Sequence, residues 1–128
     1  MRKLVADGLR RDGHVVAELG HGGHVLDLLA IDRPGPPRDI VDVLVTDVRM
    51  PWIDGVTLVR TLRVAGWTRP VVLMTAFGDD ATHAAALELG AVTLDKPFEL
   101  HDLRQLVIYA GRLAPCREST LRGALTDR

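Results

Sequence analysis

Cys116 is the only cysteine in the 128 residues, so an internal disulfide is excluded and the chain suits a reducing compartment. No apolar run approaches the roughly 20 residues of a transmembrane helix, and Met1-Arg2-Lys3 does not lead into a signal-peptide core. Excess charge is missing as well. Sixteen Lys and Arg stand against 17 Asp and Glu, a net charge of -1, which argues against electrostatic capture of nucleic acid or a membrane surface. Internal repeats and low-complexity segments are absent too. What remains is a cytoplasmic protein of one domain with an ordinary apolar fraction of 47%, enough for a real core.

The apolar pattern alternates between helix and strand periods. Residues 1–12 place Leu4, Val5 and Leu9 on one helical face against Arg2, Lys3, Arg10 and Arg11, and Gly13 stops the helix. A short strand at 15–19 follows, then a glycine loop and a helix at 25–31, closed by Arg33-Pro34-Gly35-Pro36-Pro37. The run 40–47 is the clearest strand, β-branched and nearly continuous, as in a sheet buried on both faces. A helix through Val56, Leu58, Val59 and Leu62, a strand at 70–75 and an alanine-rich helix at 79–89 come next. A strand at 91–94 and a helix at about 100–109 complete the pattern. It weakens beyond Gly111, so 1–112 reads as the domain and 113–128 as a partly helical tail.

Such alternation predicts a doubly wound α/β parallel sheet, whose ligands bind beyond the carboxyl ends of the strands. Asp47, Thr75 and Lys96 all fall at those ends. A carboxylate there can attack phosphorus to give an acyl phosphate. The transferred group spreads charge over its oxygens, which an ammonium and a hydroxyl can hold, usually with Mg²⁺. Taken singly each residue has a plainer reading: Asp47 as a turn cap, Thr75 as a satisfied hydroxyl, Lys96 as a solvated amine.

The stretches VDVLVTDVRMPWIDGVTLVRTLR, PVVLMTAFGDD and GAVTLDKPFELHDL resemble the response-regulator receiver domain of two-component signalling, over about residues 1–110. The Asp47…Pro51-x-x-Asp54-Gly55 signature, the Thr75-Ala76 pair and the Lys96-Pro97-Phe98 triplet occur in order. One match alone is weak; together they are specific. The resemblance implies a flavodoxin-like fold with Asp47 as phosphoacceptor, Thr75 as the phosphate-sensing hydroxyl and Lys96 as the phosphate contact before a cis Pro97. It also implies Asp47 and the backbone carbonyl of Arg49 as Mg²⁺ ligands. Implied partners are a sensor histidine kinase or phosphotransfer protein and a downstream protein target, with chemistry limited to self-phosphorylation and autodephosphorylation rather than enzymatic turnover. The output face is expected around residues 79–110.

Two departures stand out. Receivers open with a central strand that ends in an acidic pair, whereas here the helix at Met1 corresponds to the one after that strand. The expected fold is therefore N-terminally truncated, with about four strands and five helices, and with the acidic pair absent. Asp7 and Asp12 are poorly placed to replace it, so Mg²⁺ should bind weakly or not at all. The family order 2-1-3-4-5 leaves a gap between the strands at 15–19 and 41–46, to be closed by direct pairing, a second copy or the tail. The second departure is Thr93, where receivers usually carry Tyr or Phe. The alternative function is accordingly a phosphorylation-independent interaction module, as a strand-compensated homodimer.

The other candidates read blandly. His21-Gly22-Gly23-His24 is a loop without the further ligands a metal site needs, and His14, His83 and His101 are surface residues. Asp54-Gly55 is a turn and helix start. Trp52 adjoins the expected pocket and either shields it or packs its loop, and Cys116 is incidental.

Overall fold

The computed structural model describes residues 2–50, 52–76, 79–113 and 122–126. Along the chain it runs α1 (Arg2–Arg11), β1 (Val15–Leu19), α2 (Gly22–Leu28), β2 (Val43–Asp47), α3 (Gly55–Val64), β3 (Val71–Ala76), α4 (Asp80–Leu89), β4 (Val92–Lys96), α5 (Leu100–Leu113) and β5 (Arg122–Thr126). All strands are parallel, in the order β1-β5-β2-β3-β4.

Strand periodicity sorts the core into two layers, because successive side chains leave a strand on opposite faces. Val43 and Val45 of β2, with Val72 and Met74 of β3, pack against Val5, Ala6 and Leu9 of α1 and Leu103, Val107 and Ala110 of α5. Leu44, Val71 and Leu73 face the other way, onto Val25 and Leu29, Leu58, Val59 and Leu62 of α3, and Ala86 of α4. Burying one such Val or Leu side chain is worth about 1.5–3 kcal/mol. The near-continuous apolar runs of β2 and β3 thus follow from burial on both faces.

The gap in the sheet is closed by the tail. β5 lies between β1 and β2 and pairs in parallel with each, from Val15↔Arg122 to Leu19↔Thr126 and from Val43↔Gly123 to Thr46↔Thr126. The expectation of about four strands is corrected by this strand, since the sheet has five, and 122–126 within the expected tail is extended. Arg122-Gly123-Ala124-Leu125-Thr126 gave no strand signal because it lacks a β-branched run and carries a glycine. Its conformation comes from two neighbouring ladders. Cys116 lies outside the described residues.

Smaller shifts have local causes. α2 begins at Gly22 instead of 25 because His21 Nδ1 accepts the Gly23 amide at 3.1 Å, and Ala30, at φ 57°, follows its end. β2 starts at Val43 because pairing with β5 begins there, leaving Ile40 exposed. α4 ends as expected at Gly90, which takes the left-handed conformation (φ 67°) that glycine accepts without a Cβ penalty.

Candidate functional site

The three strand-end residues meet. Asp47 closes β2, Lys96 closes β4, and Thr75 is the penultimate residue of β3. Together with Val48, Arg49, Ala76 and Asp79 they line a hollow of about 100 Å³. A larger hollow, about 490 Å³, surrounds Trp67 and Arg69 near the amino ends of β3 and β4, and none of the three residues reaches it.

Asp47 is held from two sides. Its Oδ1 accepts the backbone N–H of Arg49 at 3.0 Å, and its Oδ2 is paired with the Lys96 ammonium. The carboxylate is nearly buried while the lysine side chain is about one-third exposed, so the pair sits at the mouth of the sheet. The peptide bond from Lys96 to Pro97 is cis. Below Asp47 the first turn of α3 crosses very close. A Cβ on Gly55 would stand 2.5 Å from the Asp47 carbonyl oxygen and 3.0 Å from Val48 Cα, so only glycine lets the helix start there. Asp54 caps that start, accepting the Thr57 amide at 2.8 Å and its hydroxyl at 3.1 Å. The turn reading of Asp54-Gly55 therefore stands.

Thr75 is 2% exposed, and its hydroxyl donates to Asp79 Oδ2 at 3.3 Å. Asp79 also accepts the Thr82 hydroxyl at 2.6 Å and the Thr82 amide at 3.2 Å, capping α4. The Thr82 hydroxyl, then its amide, hold the Asp79 carboxyl below the usual carboxylate range, against the opposing effect of burial. Hydrogen bonding from Thr75 and the Arg49 charge act in the same direction as Thr82. Sequence reasoning placed Asp79 at a helix start and missed its contact with the trio. The available signal was its position four residues after Thr75 and three before Thr82.

The other candidates fall elsewhere. Trp52 is 89% exposed at φ 75°, near His21 rather than among the residues lining the hollow. His21 and His24 stack with ring centroids 3.9 Å apart. Among the described residues no group of three His, Cys, Asp or Glu could hold a metal. His101 is exposed as expected, but His14 is half-buried, and His83 is half-buried and joined to Asp95 at 2.7 Å across α4 and β4. The Asp95 carboxylate supplies the reason for His83.

A divalent cation of the kind the resemblance implies prefers several hard oxygens. The described residues offer Asp47 and the Arg49 carbonyl, while Asp79 is already committed to Thr75 and Thr82. No helix among the described residues is long and apolar enough to cross a membrane.

Known proteins resemble this chain in sequence and in fold. The family described as "Response regulator receiver domain" matches residues 1–108. Response regulator MprA of Mycobacterium avium (strain 104) is 39% identical over 107 residues, 79% of this chain and 43% of the relative. MprA of Mycobacterium ulcerans (strain Agy99) is 38% identical over the same shares. The chain thus spans less than half the length of these curated relatives. Among solved structures, FixJ-N superposes with a TM-score of 0.74 at 29% identity, covering 90% of this chain and 87% of that one. A putative response regulator from Chloroflexus aurantiacus J-10-fl gives 0.71 at 30% identity, covering 86% and 87%. With the family match covering most of the chain and the relatives at 38–39% identity, the chain belongs to the response regulator receiver domain family.

Proposed function

We propose that this domain accepts a phosphoryl group on Asp47 from the phosphohistidine of a sensor kinase or phosphotransfer protein, and signals through protein contacts. The observation that carries this is the meeting of Asp47, Thr75 and Lys96 around one small hollow. An Asp47 carboxylate oxygen attacks phosphorus, the P–N bond to the donor imidazole breaks, and the imidazole keeps the electron pair and takes up a proton. Lys96, already on Asp47, neutralises a phosphoryl oxygen, and pre-positioned charge of this kind does most of the work in such transfers. Thr75 turns its hydroxyl from Asp79 to the phosphoryl group, which loosens the cap of α4.

That loosening gives a route outward. Asp79 caps α4, and the His83–Asp95 pair ties α4 to β4. Thr93 occupies the β4 position where receivers usually carry an aromatic ring, so transmission runs through the α4 cap rather than a turning ring. The output surface is α4, β4 and α5, in a cytoplasmic protein that binds neither nucleic acid nor membrane through this domain. The chemistry is a single acquired and lost phosphoryl group, without enzymatic turnover of other substrates.

The test is incubation of the 128-residue chain with a small acyl phosphate donor and Mg²⁺, followed by intact mass. A gain of one phosphoryl group that Asp47→Asn abolishes is the expected result. No gain with any donor would favour the second reading, a phosphorylation-independent interaction module, for which the thin cation donor set speaks. With β5 in the gap, that module would not need strand exchange between copies to complete its sheet.

A further inference from the structure

The hollow around Trp67 and Arg69 lies at the amino ends of β3 and β4, the opposite end of the sheet from Asp47. Its volume of about 490 Å³ falls within the roughly 300–1,000 Å³ of small-ligand sites. Pro36, Pro37 and Pro70 give it stiff apolar walls. The Arg38 amide, donating to the Leu29 carbonyl at 2.8 Å, holds the proline loop in place. Two lining residues carry a polar atom that nothing satisfies. Among the described residues, the buried side-chain atoms without a hydrogen-bond partner are His14 Nε2, Trp67 Nε1 and Arg69 Nη1; the last two belong to residues of this hollow. Both are donors only. Folded proteins rarely leave such donors orphaned, because the lost bonds to water are not replaced.

Charge around these donors has one sign in excess. Arg38 and Arg69 line the hollow with Asp39 as the opposing acid. Arg69 gives its Nε to Asp39 at 3.1 Å and its Nη2 at 2.8 and 3.0 Å, which leaves Nη1 as the spare nitrogen. Arg63 stands beside them, donating to the Trp67 and Arg69 carbonyls at 3.1 and 2.8 Å with its guanidinium 5.8 Å from the Trp67 ring centre. Three cations against one carboxylate favour an anion. We propose that the hollow binds a small organic anion, a carboxylate or phosphate on a compact apolar body, whose oxygens accept from Trp67 Nε1 and Arg69 Nη1. Single donors on two different residues suit a group with two or more oxygens, and the prolines receive the apolar body. Neither donor is open to bulk water, so binding includes a local turn of the Arg69 side chain, and its partner Asp39 is exposed enough to follow. This site is separate from the phosphoacceptor hollow and does not depend on the phosphotransfer reading.

The test follows the indole N–H resonances of the two tryptophans in the ¹⁵N-labelled 128-residue chain, with Trp52→Phe to assign them. Benzoate, phenyl phosphate and uncharged benzyl alcohol are titrated in turn at constant ionic strength. A saturable shift of the Trp67 resonance with benzoate or phenyl phosphate, and none with benzyl alcohol, is the expected result. Whichever anion binds more tightly names the headgroup. The Trp52 resonance, from a side chain 89% exposed, should stay in place. Arg69→Gln should weaken binding roughly tenfold or more, whereas Arg60→Gln, an exposed arginine of α3 outside the lining, should leave it unchanged and serves as the charge control. Circular dichroism checks the fold of Arg69→Gln; if that variant melts, Arg38→Gln replaces it and should also weaken binding. No saturable shift with either anion, an equal shift with benzyl alcohol, or unchanged affinity in the folded lining variant overturns the proposal.

Discussion

Replacing Gly55 by alanine tests how tightly α3 is built onto the phosphoacceptor loop. The added methyl would lie 2.5 Å from the Asp47 carbonyl oxygen, 3.0 Å from Val48 Cα and 3.2 Å from the Asp47 carbonyl carbon. All three are backbone atoms, so no rotamer change relieves the contact. Ordinary van der Waals contact begins near 3.4 Å, which requires the helix start or the 47–48 backbone to move by about 0.9 Å. Overpacking of this kind costs about 1–3 kcal/mol. Alanine recovers about 0.5–1 kcal/mol as a better helix residue, leaving a net loss of at most about 2.5 kcal/mol, with a middle value of roughly 1 kcal/mol. A displacement of about 1 Å at a reacting group costs on the order of 10²-fold in rate, so phosphorylation should fall more steeply than stability. Urea unfolding measures the first and intact-mass time courses the second. Gly20→Ala is the control, since its nearest neighbours are His24 ring atoms at 3.5 and 3.6 Å. A Gly55→Ala protein as stable as wild type, phosphorylated at the wild-type rate, would refute the close-approach argument.

Two further outcomes follow from the α4 cap and the α1–α5 contact. Asp79→Ala should lower stability through the lost N-cap and speed amide exchange in the first turn of α4, which hydrogen-exchange mass spectrometry can read. Stability should also fall on acidification. Asp12, held down chiefly by its hydrogen bond to Arg104, and Asp79 both have carboxyls below the usual range. Each therefore contributes stability above its unfolded value, lost as pH drops through the lower folded value. Thermal unfolding from about pH 6 to about pH 2 should show this loss, and Asp12→Asn should flatten it.

Much of the site was readable because its chemistry sits at the ends of strongly patterned strands. The apolar runs before Asp47 and Thr75 announce strands buried on both faces, and any such parallel sheet brings its carboxyl ends together. Less was readable where tertiary partners decide. Asp79 looks like any helix cap until Thr75 is seen donating to it, and His83 looks like a surface residue until Asp95 appears beside it. β5 was illegible for the same reason: Gly123 and Ala124 have little strand preference, and only the ladders to β1 and β2 make them extended.

The place of β5 also bears on the order in which the molecule can assemble. Partners such as Val15 and Arg122 are about a hundred positions apart in the chain, a long loop to close before any contact rewards it. As the chain leaves the ribosome, β2, β3 and β4 can pair with nearest neighbours, while β1 must wait for the strand that joins it to the rest. Synthesis past Thr126 is then the event that joins β1 to the sheet, and a ribosome stalled short of it would hold a half-sheet with an open edge beside Asp47.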